Sequence, residues 1–390
     1  MKKSLFVMHV LAMGGSGTSL LNLLSLYQDR GETCDLFLMA HEGPLLERAG
    51  QVANLLPEDK ILSSVFASRE SLKGRGIVAF FIRSCFVVAH RLFGAEKAMN
   101  WVMKRGAKKL SGKYDTIISY QESLPTEFAQ YIDAPRRVAW CHMDYNAFSG
   151  GKSVERQKAL YAKFDHIACV SNVIKESLVE HLGYPGDDIS VVYNTIPPKF
   201  IKAQAEAESV EVAPGKFIFV SMGRFVDRKR FDRAVLASEA LKARGVDFAW
   251  YLLGNGPLFE DVKAMVEEKE LSDCVILTGP KTNPFVYLKH ADCYAMMSEN
   301  EGQPMVLNEA MTLGIPTLTT DFPSAREVVH HGVDGLIVPN TDEGFVEGVL
   351  RFVDDDTMRK TIKEGAQSFV YDNESILRQV SQIIQKKERI

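Results

Sequence analysis

Two glutamates flank a sequence that can begin a helix with unpaired backbone amides. Glu301 and Glu309 are separated by seven residues, and Pro304 lies between them, after a predicted strand at 292–297. Proline suits the first turn of a helix, where its missing N–H would be unpaired in any case. Amides at such a helix start can bind an anion, for example a phosphate. We therefore predict an anion site formed by the amides of Gln303, Met305 and Val306.

The residues beside this helix start suggest a ligand that carries hydroxyl groups as well as phosphate. Gly302 has no side chain and allows a ligand to approach the backbone closely. Glu301 lies in the predicted loop and can accept hydrogen bonds from sugar hydroxyls, whereas Glu309 lies inside the helix and can hold a ribose diol. The alternative is a surface helix whose carboxylates lie there by chance.

A second group of residues carries positive charge. Arg224 and Lys229 are five residues apart and follow the apolar run Phe217 to Met222, which is predicted to be a strand. Loops after the strands of a doubly wound sheet bind ligands. Arginine suits bidentate contacts with phosphate and lysine a point-charge contact. The pair predicts a diphosphate site, and a solvated basic turn is the alternative.

Three weaker candidates also follow predicted strands. Gly15 and Ser16 belong to a glycine-rich loop between the first strand and a helix near 18–28, but this loop lacks both the P-loop and the dinucleotide-binding spacings. His142 ends the strand at 137–141, where a single histidine is more commonly structural than catalytic. Lys281 follows the strand at 274–278.

The elements that must position these residues are short apolar runs alternating with helical patterns. Several runs are apolar at consecutive positions, which is typical of parallel strands covered on both faces. Helical spacing is evident at 229–244 and 303–313. Alternating strands and helices predict doubly wound α/β domains. The predicted strands are 4–10, 34–40, 115–120, 137–141, 166–170, 190–193, 217–222, 248–253, 274–278, 292–297, 316–319 and 335–338.

The length of 390 residues predicts two domains. A stretch rich in Ala, Glu and Lys at 202–216 precedes the second series of strands and helices. We place the domains at 1–198 and 199–370. The terminal segment 371–390 has a helix-like apolar face that could pack back on the first domain.

The composition excludes several classes of protein. The chain is 46% hydrophobic and 25% charged, which is typical of globular proteins rather than disordered or fibrous ones. Its net charge of −4 gives no support for nucleic acid as a partner. Six cysteines without a Cys-x-x-Cys pair predict buried free thiols in a reducing compartment. No signal peptide, membrane span or metal site is expected, and we predict a cytoplasmic protein.

The segment 69–113 departs from this average. It contains eleven basic residues and only two acidic ones, together with several aromatic side chains. Such a stretch is typical of peripheral binding to an anionic membrane surface. The alternative is a solvated helix face over an apolar core. The basic residues are Arg69, Lys73, Arg75, Arg83, Arg91, Lys97, Lys104, Arg105, Lys108, Lys109 and Lys113.

The segment from Glu301 to Glu309 resembles the Glu-x7-Glu signature of glycosyltransferase family 4. The similarity continues through Gly314-x-Pro316 and on to the segment from Glu327 to Leu336. It implies the GT-B fold, in which two Rossmann-like doubly wound domains face each other across a cleft. In this family the first domain binds the acceptor and the second binds the nucleotide sugar.

The resemblance also implies roles for individual residues. Glu301 would contact the transferred sugar and Glu309 the ribose, while Arg224 and Lys229 would neutralise the diphosphate. The sequence has Arg230 where the family often has glycine. His142 would lie near the sugar hydroxyls. The remaining implied donor-binding residues are Gly15, Ser16, Lys281, Gly302, Gln303, Pro304, Met305 and Val306.

The implied reaction is metal-independent transfer of a hexosyl-type sugar with retention of configuration. The donor would be a nucleotide-diphosphate sugar, with UDP favoured over GDP, and no cofactor is expected. The acceptor would be a glycan or a lipid-linked glycan of a bacterial surface polysaccharide, and the enzyme would work in the cytoplasm or at the inner face of the cell membrane. A nucleotide-sugar epimerase and a non-catalytic nucleotide-sugar-binding protein are the alternatives. An NAD-dependent oxidoreductase would need a glycine fingerprint that the chain lacks.

Overall fold

The computed structural model describes residues 3–145, 153–184 and 188–385, and the chain divides into two compact units. Unit 1 comprises Met1–Thr195 and Asn373–Ile390, and unit 2 comprises Ile196–Asp372. The division falls three residues before the predicted position because Ile196 is buried with Ile201 and Met305 of unit 2.

Unit 1 contains a parallel sheet of seven strands in the order β3-β2-β1-β4-β5-β6-β7. The direction of progression reverses between β1 and β4, which pair directly with each other. The six predicted strands of this unit are confirmed, and the two-residue β3 is too short to give a sequence signal. The strands are β1 (Ser4–Met8), β2 (Asp35–Leu38), β3 (Asn54–Leu55), β4 (Thr116–Ser119), β5 (Arg136–Cys141), β6 (His166–Cys169) and β7 (Ile189–Val191).

Helices join these strands, and a group of four lies between β3 and β4. The predicted helical segment 69–113 corresponds to α4, α5 and α6 of that group. The described helices of unit 1 before residue 195 are α1 (Gly15–Asp29), α2 (Leu46–Val52), α3 (Lys60–Phe66), α4 (Arg69–Gly74), α5 (Gly76–Phe93), α6 (Ala95–Lys108), α7 (Leu124–Ala129), α8 (Val154–Tyr161) and α9 (Asn172–Leu182).

Unit 2 contains a parallel sheet of six strands in the order β10-β9-β8-β11-β12-β13, with its reversal between β8 and β11. All six predicted strands are confirmed. They are β8 (Phe217–Met222), β9 (Phe248–Leu253), β10 (Val275–Gly279), β11 (Cys293–Met296), β12 (Thr317–Thr320) and β13 (Gly335–Val338). The described helices are α10 (Pro198–Glu206), α11 (Phe231–Ala243), α12 (Phe259–Glu268), α13 (Phe285–Leu288), α14 (Met305–Thr312), α15 (Asp342–Asp354) and α16 (Asp356–Gln367).

Neighbouring residues of one strand belong to different cores in unit 2. Phe219 of β8 packs with Trp250 on one face of the sheet, whereas Val220 packs with Tyr251 on the other. This two-sided burial explains the uninterrupted apolar runs in the sequence. The loops described below follow the carboxyl ends of these strands.

The last described helix is α17 (Asn373–Gln385), which is assigned to unit 1. Its last turn is bound by two side chains from the sheet: Thr116 Oγ1 donates to the carbonyl of Ile384 at 3.0 Å, and Arg136 Nε donates to that of Ile383 at 2.6 Å. These bonds satisfy carbonyls that a helix end leaves unpaired.

Five of the six cysteines are buried and free, as predicted, but Cys85 is exposed on α5. That helix also bears on the expectation that the chain has no membrane span. Within the described residues α5 alone is long and apolar enough to cross a membrane by length and composition, with a mean hydropathy of 1.6 over 18 residues. Length and composition do not distinguish a spanning helix from one that lies on a surface.

Candidate functional site

The reversal of strand order in unit 2 brings two predicted loops together. β8 and β11 are neighbouring strands, so the loops that follow them, 223–230 and 297–304, leave the same edge of the sheet side by side. A backbone hydrogen bond from Glu299 N to Arg228 O, 2.8 Å long, joins the two loops. Ligands of open α/β sheets bind where the strand order reverses, at the carboxyl ends of the strands.

Lys229 and Glu301, predicted separately from two distant motifs, form an ion pair at this position. The Lys229 Nζ lies 2.5 Å from Glu301 Oε1, and both side chains are largely buried, with 17% and 13% of their surface exposed. Lys229 ends a 3-10 turn, Asp227–Lys229, and its side chain folds back over Gly223 at the end of β8. The site thus presents a cation and a carboxylate in direct contact.

Arg224 lies in the same loop, and its side chain is exposed. Among the described residues it makes no ion pair. The backbone on either side of it is fixed, because Gly223 N donates to Leu253 O and Phe225 N donates to Asn255 O, each at 3.0 Å. Arg224 therefore projects from a rigid loop and is available for a ligand.

Hydroxyl groups from β12 and the residues after it fix the loop that carries Glu301. Thr320 Oγ1 donates to Ser298 O at 2.6 Å, and Ser324 Oγ donates to Glu301 O at 2.8 Å. On the other side of the loop, the buried guanidinium of Arg233 donates to Met297 O at 3.1 Å. These contacts hold the Glu301 backbone in place, which a positioned binding group requires.

The helix begins where it was predicted, but one of the three backbone amides predicted to bind an anion is already hydrogen-bonded. α14 begins at Met305, and Pro304 is its N-cap with φ −79° and ψ 77°, outside the helical region. The Met305 amide donates to Gln303 O at 2.9 Å and is not free for an anion. The tight turn at Pro304 thus occupies the Met305 amide in a local hydrogen bond. The Val306 amide makes no such bond among the described residues, so it is the better candidate.

Glu309 and Glu301 approach a common neighbour. Glu309 is 7% exposed in the second turn of α14. Burial, together with the charges of Glu301 and Glu309, raises the pKa of Tyr294, whose hydroxyl donates to Met222 O at 3.4 Å. The charges of both carboxylates of the predicted signature therefore act on the same buried phenol, whose hydroxyl lies at the end of β8.

Two further residues that were predicted to bind the nucleotide sugar, Gln303 and Lys281, lie outside the contact between Lys229 and Glu301. Gln303 Nε2 donates to the hydroxyl of Tyr371 at 3.2 Å. Lys281 follows β10, the edge strand, and its Nζ lies 5.7 Å from the ring centroid of Tyr287. Two strands thus separate the Lys281 loop from the β11 loop, so it is not part of the Lys229–Glu301 contact.

Two glycines that the sequence analysis missed hold the Arg224 loop. Gly254 and Gly256 follow β9, and Gly254 has φ +136°. A Cβ at Gly254 would lie 1.9 Å from Gly223 O, and one at Gly256 would lie 2.3 Å from Phe225 O. Only residues without a side chain allow these loops to pack so closely. A glycine pair directly after an apolar strand is the signal that could have found them.

Arg230 stands where the family often has glycine, and the structure explains both residues. Its φ of 48° and ψ of 47° lie in the left-handed region, which favours glycine. Ion pairs of the Arg230 guanidinium offset the cost of this backbone conformation. They join it to Asp232, Glu299 and Asp342, at 2.8, 2.8 and 2.7 Å. These partners link the two loops of the site to α15.

Replacing Arg230 separates the two effects. Arg230→Ala loses the ion pairs and keeps the unfavourable backbone, whereas Arg230→Gly loses the ion pairs and relieves the backbone. We expect the glycine variant to be the more stable by about 1 kcal/mol, measured by urea unfolding. Equal stability of the two variants would show that the backbone at this position is not strained.

Unit 1 has its own candidate residues at the carboxyl edge of its sheet. Gly15 and Ser16 are the first two residues of α1, rather than a loop that precedes a helix near 18–28. Thr18 N donates to Gly14 O at 3.1 Å, so the helix already includes these residues. The glycines are tolerated in this first turn, and a Cβ at Gly15 would meet no atom within 4 Å.

His142 follows β5 and contacts residues that follow β4. Its Nε2 donates to Tyr120 O at 3.1 Å, and its backbone N donates to Glu122 Oε2 at 3.0 Å. Burial lowers the pKa of His142 to about 4 and raises that of Glu122. The imidazole is therefore neutral near pH 7, with Nδ1 as a hydrogen-bond acceptor. Glu122, a single acidic residue in no recognisable motif, was missed by the sequence analysis.

The lowered pKa of His142 predicts a pH dependence of stability. Between pH 6.5 and pH 4 the unfolded chain binds a proton at this residue that the folded chain does not, so acidification favours unfolding. We expect the titration of His142 to lower the free energy of unfolding by an amount on the order of 1 kcal/mol from pH 6.5 to pH 5. The partial exposure of the side chain keeps this effect small. Urea unfolding of the wild type and His142→Gln at both pH values measures this loss. Equal pH dependence of the two proteins would contradict the assignment.

Metal ligands are not grouped in the part of the chain that the structure describes: no set of three or more His, Cys, Asp or Glu side chains could hold an ion. In the loops after β8 and β11, the groups that can bind an anion are the Lys229 and Arg224 side chains and the Val306 amide. Two doubly wound α/β units, with such groups after the strands of the second sheet, are the arrangement expected of the GT-B class.

Comparison with known proteins agrees with this class. The family model for glycosyltransferase family 4 matches residues 13–200, and that for group 1 glycosyl transferases matches residues 203–369. The two matches support a glycosyltransferase of the GT-B type, with one model on each half of the chain. A solved structure of Anabaena Alr3699/HepE in complex with UDP and glucose has a TM-score of 0.72 at 18% identity, covering 99% of this chain and 100% of that one.

Several curated relatives are glycosyltransferases of bacterial polysaccharide and lipopolysaccharide biosynthesis. The putative colanic acid biosynthesis glycosyltransferase WcaL of Salmonella typhimurium is 30% identical over 187 residues, which are 44% of this chain and 46% of that protein. The N-acetylgalactosamine-N,N'-diacetylbacillosaminyl-diphospho-undecaprenol 4-alpha-N-acetylgalactosaminyltransferase of Campylobacter jejuni is 29% identical over 211 residues, 54% and 56% of the two chains. The chain thus spans about half the length of the curated relatives it matches.

Proposed function

We propose that the protein transfers a hexosyl-type sugar from a nucleotide-diphosphate sugar to a glycan or lipid-linked acceptor, with retention of configuration. The observation that carries this proposal is the contact between Lys229 and Glu301 at the strand reversal of unit 2. In a nucleotide sugar the anomeric carbon is bonded directly to the diphosphate. A site for it needs a cation for the phosphate and an acceptor for the sugar hydroxyls a few ångströms apart, as these two side chains are.

The proposed donor-binding groups divide by the part of the donor they would contact. Lys229, Arg224 and the Val306 amide would bind the diphosphate. Glu301 would bind the sugar and Glu309 the ribose. Gly302, Gln303 and Pro304 shape the loop between them, and Lys281 would border the nucleobase. Gly15, Ser16 and His142 are the proposed contributions of unit 1, with the neutral His142 accepting a hydrogen bond from a sugar hydroxyl.

The proposed reaction is a front-side displacement. The acceptor hydroxyl attacks the anomeric carbon from the face that the diphosphate leaves, and a departing phosphate oxygen takes the acceptor proton. No protein base, metal ion or cofactor is required in this scheme. The protein supplies orientation and stabilises the charge that develops on the leaving group.

The identity of the donor and acceptor is proposed from the relatives. UDP is favoured over GDP because UDP and UDP-glucose occur in the structures of HepE. A lipid-linked acceptor is favoured because the Campylobacter jejuni relative is named for a diphospho-undecaprenol substrate. We propose that this chemistry serves a bacterial surface polysaccharide and occurs at the cytoplasmic side of the cell membrane.

A panel of UDP-, GDP- and ADP-sugars tests the proposal by thermal unfolding. A ligand at 100 times its Kd stabilises the folded state by about 2.7 kcal/mol, which raises the melting temperature measurably. We expect UDP-sugars to give the largest shift. No shift with any donor would overturn the proposal.

Product analysis then separates the alternatives. Incubation of the stabilising donor without an acceptor would yield an isomerised sugar if the protein were an epimerase. Binding without transfer to any lipid-linked or glycan acceptor would indicate a non-catalytic binding protein. Transfer with retained configuration is the expected result.

A further inference from the structure

Large apolar side chains are exposed on one helix of unit 1. Among the described residues thirteen large hydrophobic side chains are exposed, and eight of them lie on α5. A ninth, Trp101 of α6, is 64% exposed. Exposed apolar patches of this kind mark binding surfaces. The α5 residues are Ile77, Val78, Phe80, Phe81, Val87, Val88, Leu92 and Phe93.

The opposite side of α5 is firmly attached to unit 1, so this exposure does not come from a detached helix. Ala79 is buried, and Ile82 and Phe86 are half-buried at helical spacing from it. Arg83 Nη1 donates to Ala67 O at 2.6 Å, next to the end of α3. The helix is thus apolar on nearly all sides, with one side packed on the protein and the rest facing outward.

The charge around this helix is positive. Residues 71–95 contain no acidic side chain. Five of the eleven basic residues of 69–113 have partners within unit 1: Arg75 pairs with Glu58, Arg105 and Lys109 with Asp59, Arg83 with backbone carbonyls, and Lys104 with the Tyr131 ring. The other six are exposed and make no ion pair among the described residues. They are Arg69, Lys73, Arg91, Lys97, Lys108 and Lys113.

An apolar helix face bordered by unpaired cations matches one kind of partner, a bilayer that contains anionic lipid. Apolar side chains enter the boundary between headgroups and acyl chains, while Lys and Arg near the surface are attracted to anionic headgroups. Tryptophan favours the same boundary. A solvated basic face over an apolar core, the alternative from the sequence, does not describe α5, because its exposed face is apolar.

The helix fits a position in the plane of the membrane better than a span. Eighteen residues extend about 27 Å, slightly less than a hydrocarbon core of about 30 Å. Spanning would also remove Arg83 from its carbonyl partners and place it near the middle of the hydrocarbon core. Both costs are avoided when α5 lies flat.

We propose that the outer face of α5, together with Trp101, is a docking surface for an anionic lipid bilayer. The aromatic and aliphatic side chains enter the interface, and the exposed Lys and Arg side chains contact the headgroups. This surface shares no residue with the proposed donor site, so membrane binding and sugar transfer can each fail without the other. For a lipid-linked acceptor, such docking would confine the enzyme to the surface where its substrate lies.

Vesicle sedimentation of the full chain tests the proposal. We expect binding to phosphatidylcholine vesicles with about 30% phosphatidylglycerol to be at least tenfold stronger than to phosphatidylcholine alone, and to weaken with salt. Phe80→Glu/Phe81→Glu should reduce binding to the anionic vesicles at least tenfold. The matched control is Val333→Glu/Val370→Glu, which places the same charges at exposed apolar positions of unit 2, 55% and 87% exposed, and should bind as the wild type does.

Four results would overturn the proposal. Negligible binding to both vesicle types, or equal effects of the two double variants, would show that α5 is not a lipid surface. Resistance of bound protein to alkaline extraction would indicate a span. A dimer in the absence of lipid that Phe80→Glu/Phe81→Glu dissociates would assign the face to a second copy of the chain. Donor binding by the Phe80→Glu/Phe81→Glu variant, measured by thermal shift, should equal that of the wild type and confirms that it is folded.

Discussion

Lys229→Ala is expected to lower turnover with the preferred donor by about 10²–10³-fold. The ammonium of Lys229 is the partly buried cation beside Glu301, at the position proposed for the donor diphosphate. Its removal takes away a charge that stabilises the leaving group. Water stabilises the diphosphate less well than this preorganised ammonium does. Arg224→Ala is expected to act in the same direction, and steady-state kinetics with saturating acceptor measure both.

A matched control lies at the opposite end of the same strand. Lys216 precedes β8 and pairs with Asp247 at 3.2 Å, so Lys216→Ala also removes one lysine and one ion pair. It should leave turnover unchanged. Normal turnover in both Lys229→Ala and Arg224→Ala would refute the assignment, and an equal loss in Lys216→Ala would point to a general effect of charge or stability.

Gly254→Ala is expected to disable the donor site without touching a charged residue. The added Cβ would lie 1.9 Å from Gly223 O, and the backbone φ of +136° is unfavourable for alanine. The loop that carries Arg224 and Lys229 must then move. We expect a loss of about 2–6 kcal/mol in the free energy of unfolding, from overpacking and backbone strain together. Donor binding, measured by calorimetry, should weaken at least tenfold, since a 1 Å displacement can cost about that much or more.

Gly245→Ala separates backbone strain from the collision. Gly245 also has a positive φ, +71°, but no atom lies within 4 Å of an added Cβ. It should lose only about 1–2 kcal/mol of stability and keep its affinity for the donor. If Gly254→Ala binds the donor as tightly as Gly245→Ala does, the packing of the two loops does not position the site.

The strands of both sheets were predictable from the sequence because burial on both faces produces continuous apolar runs. Runs such as Phe217 to Met222 are apolar at consecutive positions, since neighbouring side chains enter cores on opposite faces. The strand Asn54–Leu55 was missed because two residues carry no periodicity. That the two domains face each other across a cleft stays a prediction.

The sequence predicted which residues form the candidate site better than it predicted the contacts between them. The spacing of Glu301, Glu309, Arg224 and Lys229 is visible in the sequence, but the ion pair between two motifs about seventy residues apart follows from strand order. The Met305 amide was wrongly assigned to an anion because the local turn to Gln303 O depends on the ψ of Pro304, which spacing does not reveal.

The helix α5 shows a different limit. Its apolar and basic residues were recognised as a group, yet a helix that is apolar on nearly all sides gives no signal for which side packs. The ion-pair partners of Arg75 and Arg105 could not be foreseen either, because Glu58 and Asp59 lie outside the basic segment. Composition therefore predicted a charged stretch, and only the structure identified its exposed apolar face.

A crystal structure of the protein with UDP bound tests the central claim most directly. We predict that the diphosphate lies at the carboxyl end of β8, within about 3 Å of Lys229 Nζ. Its oxygens should also approach the Arg224 guanidinium and the Val306 amide, and the ribose should contact Glu309. A diphosphate bound elsewhere, with Lys229 still directed only at Glu301, would contradict the account.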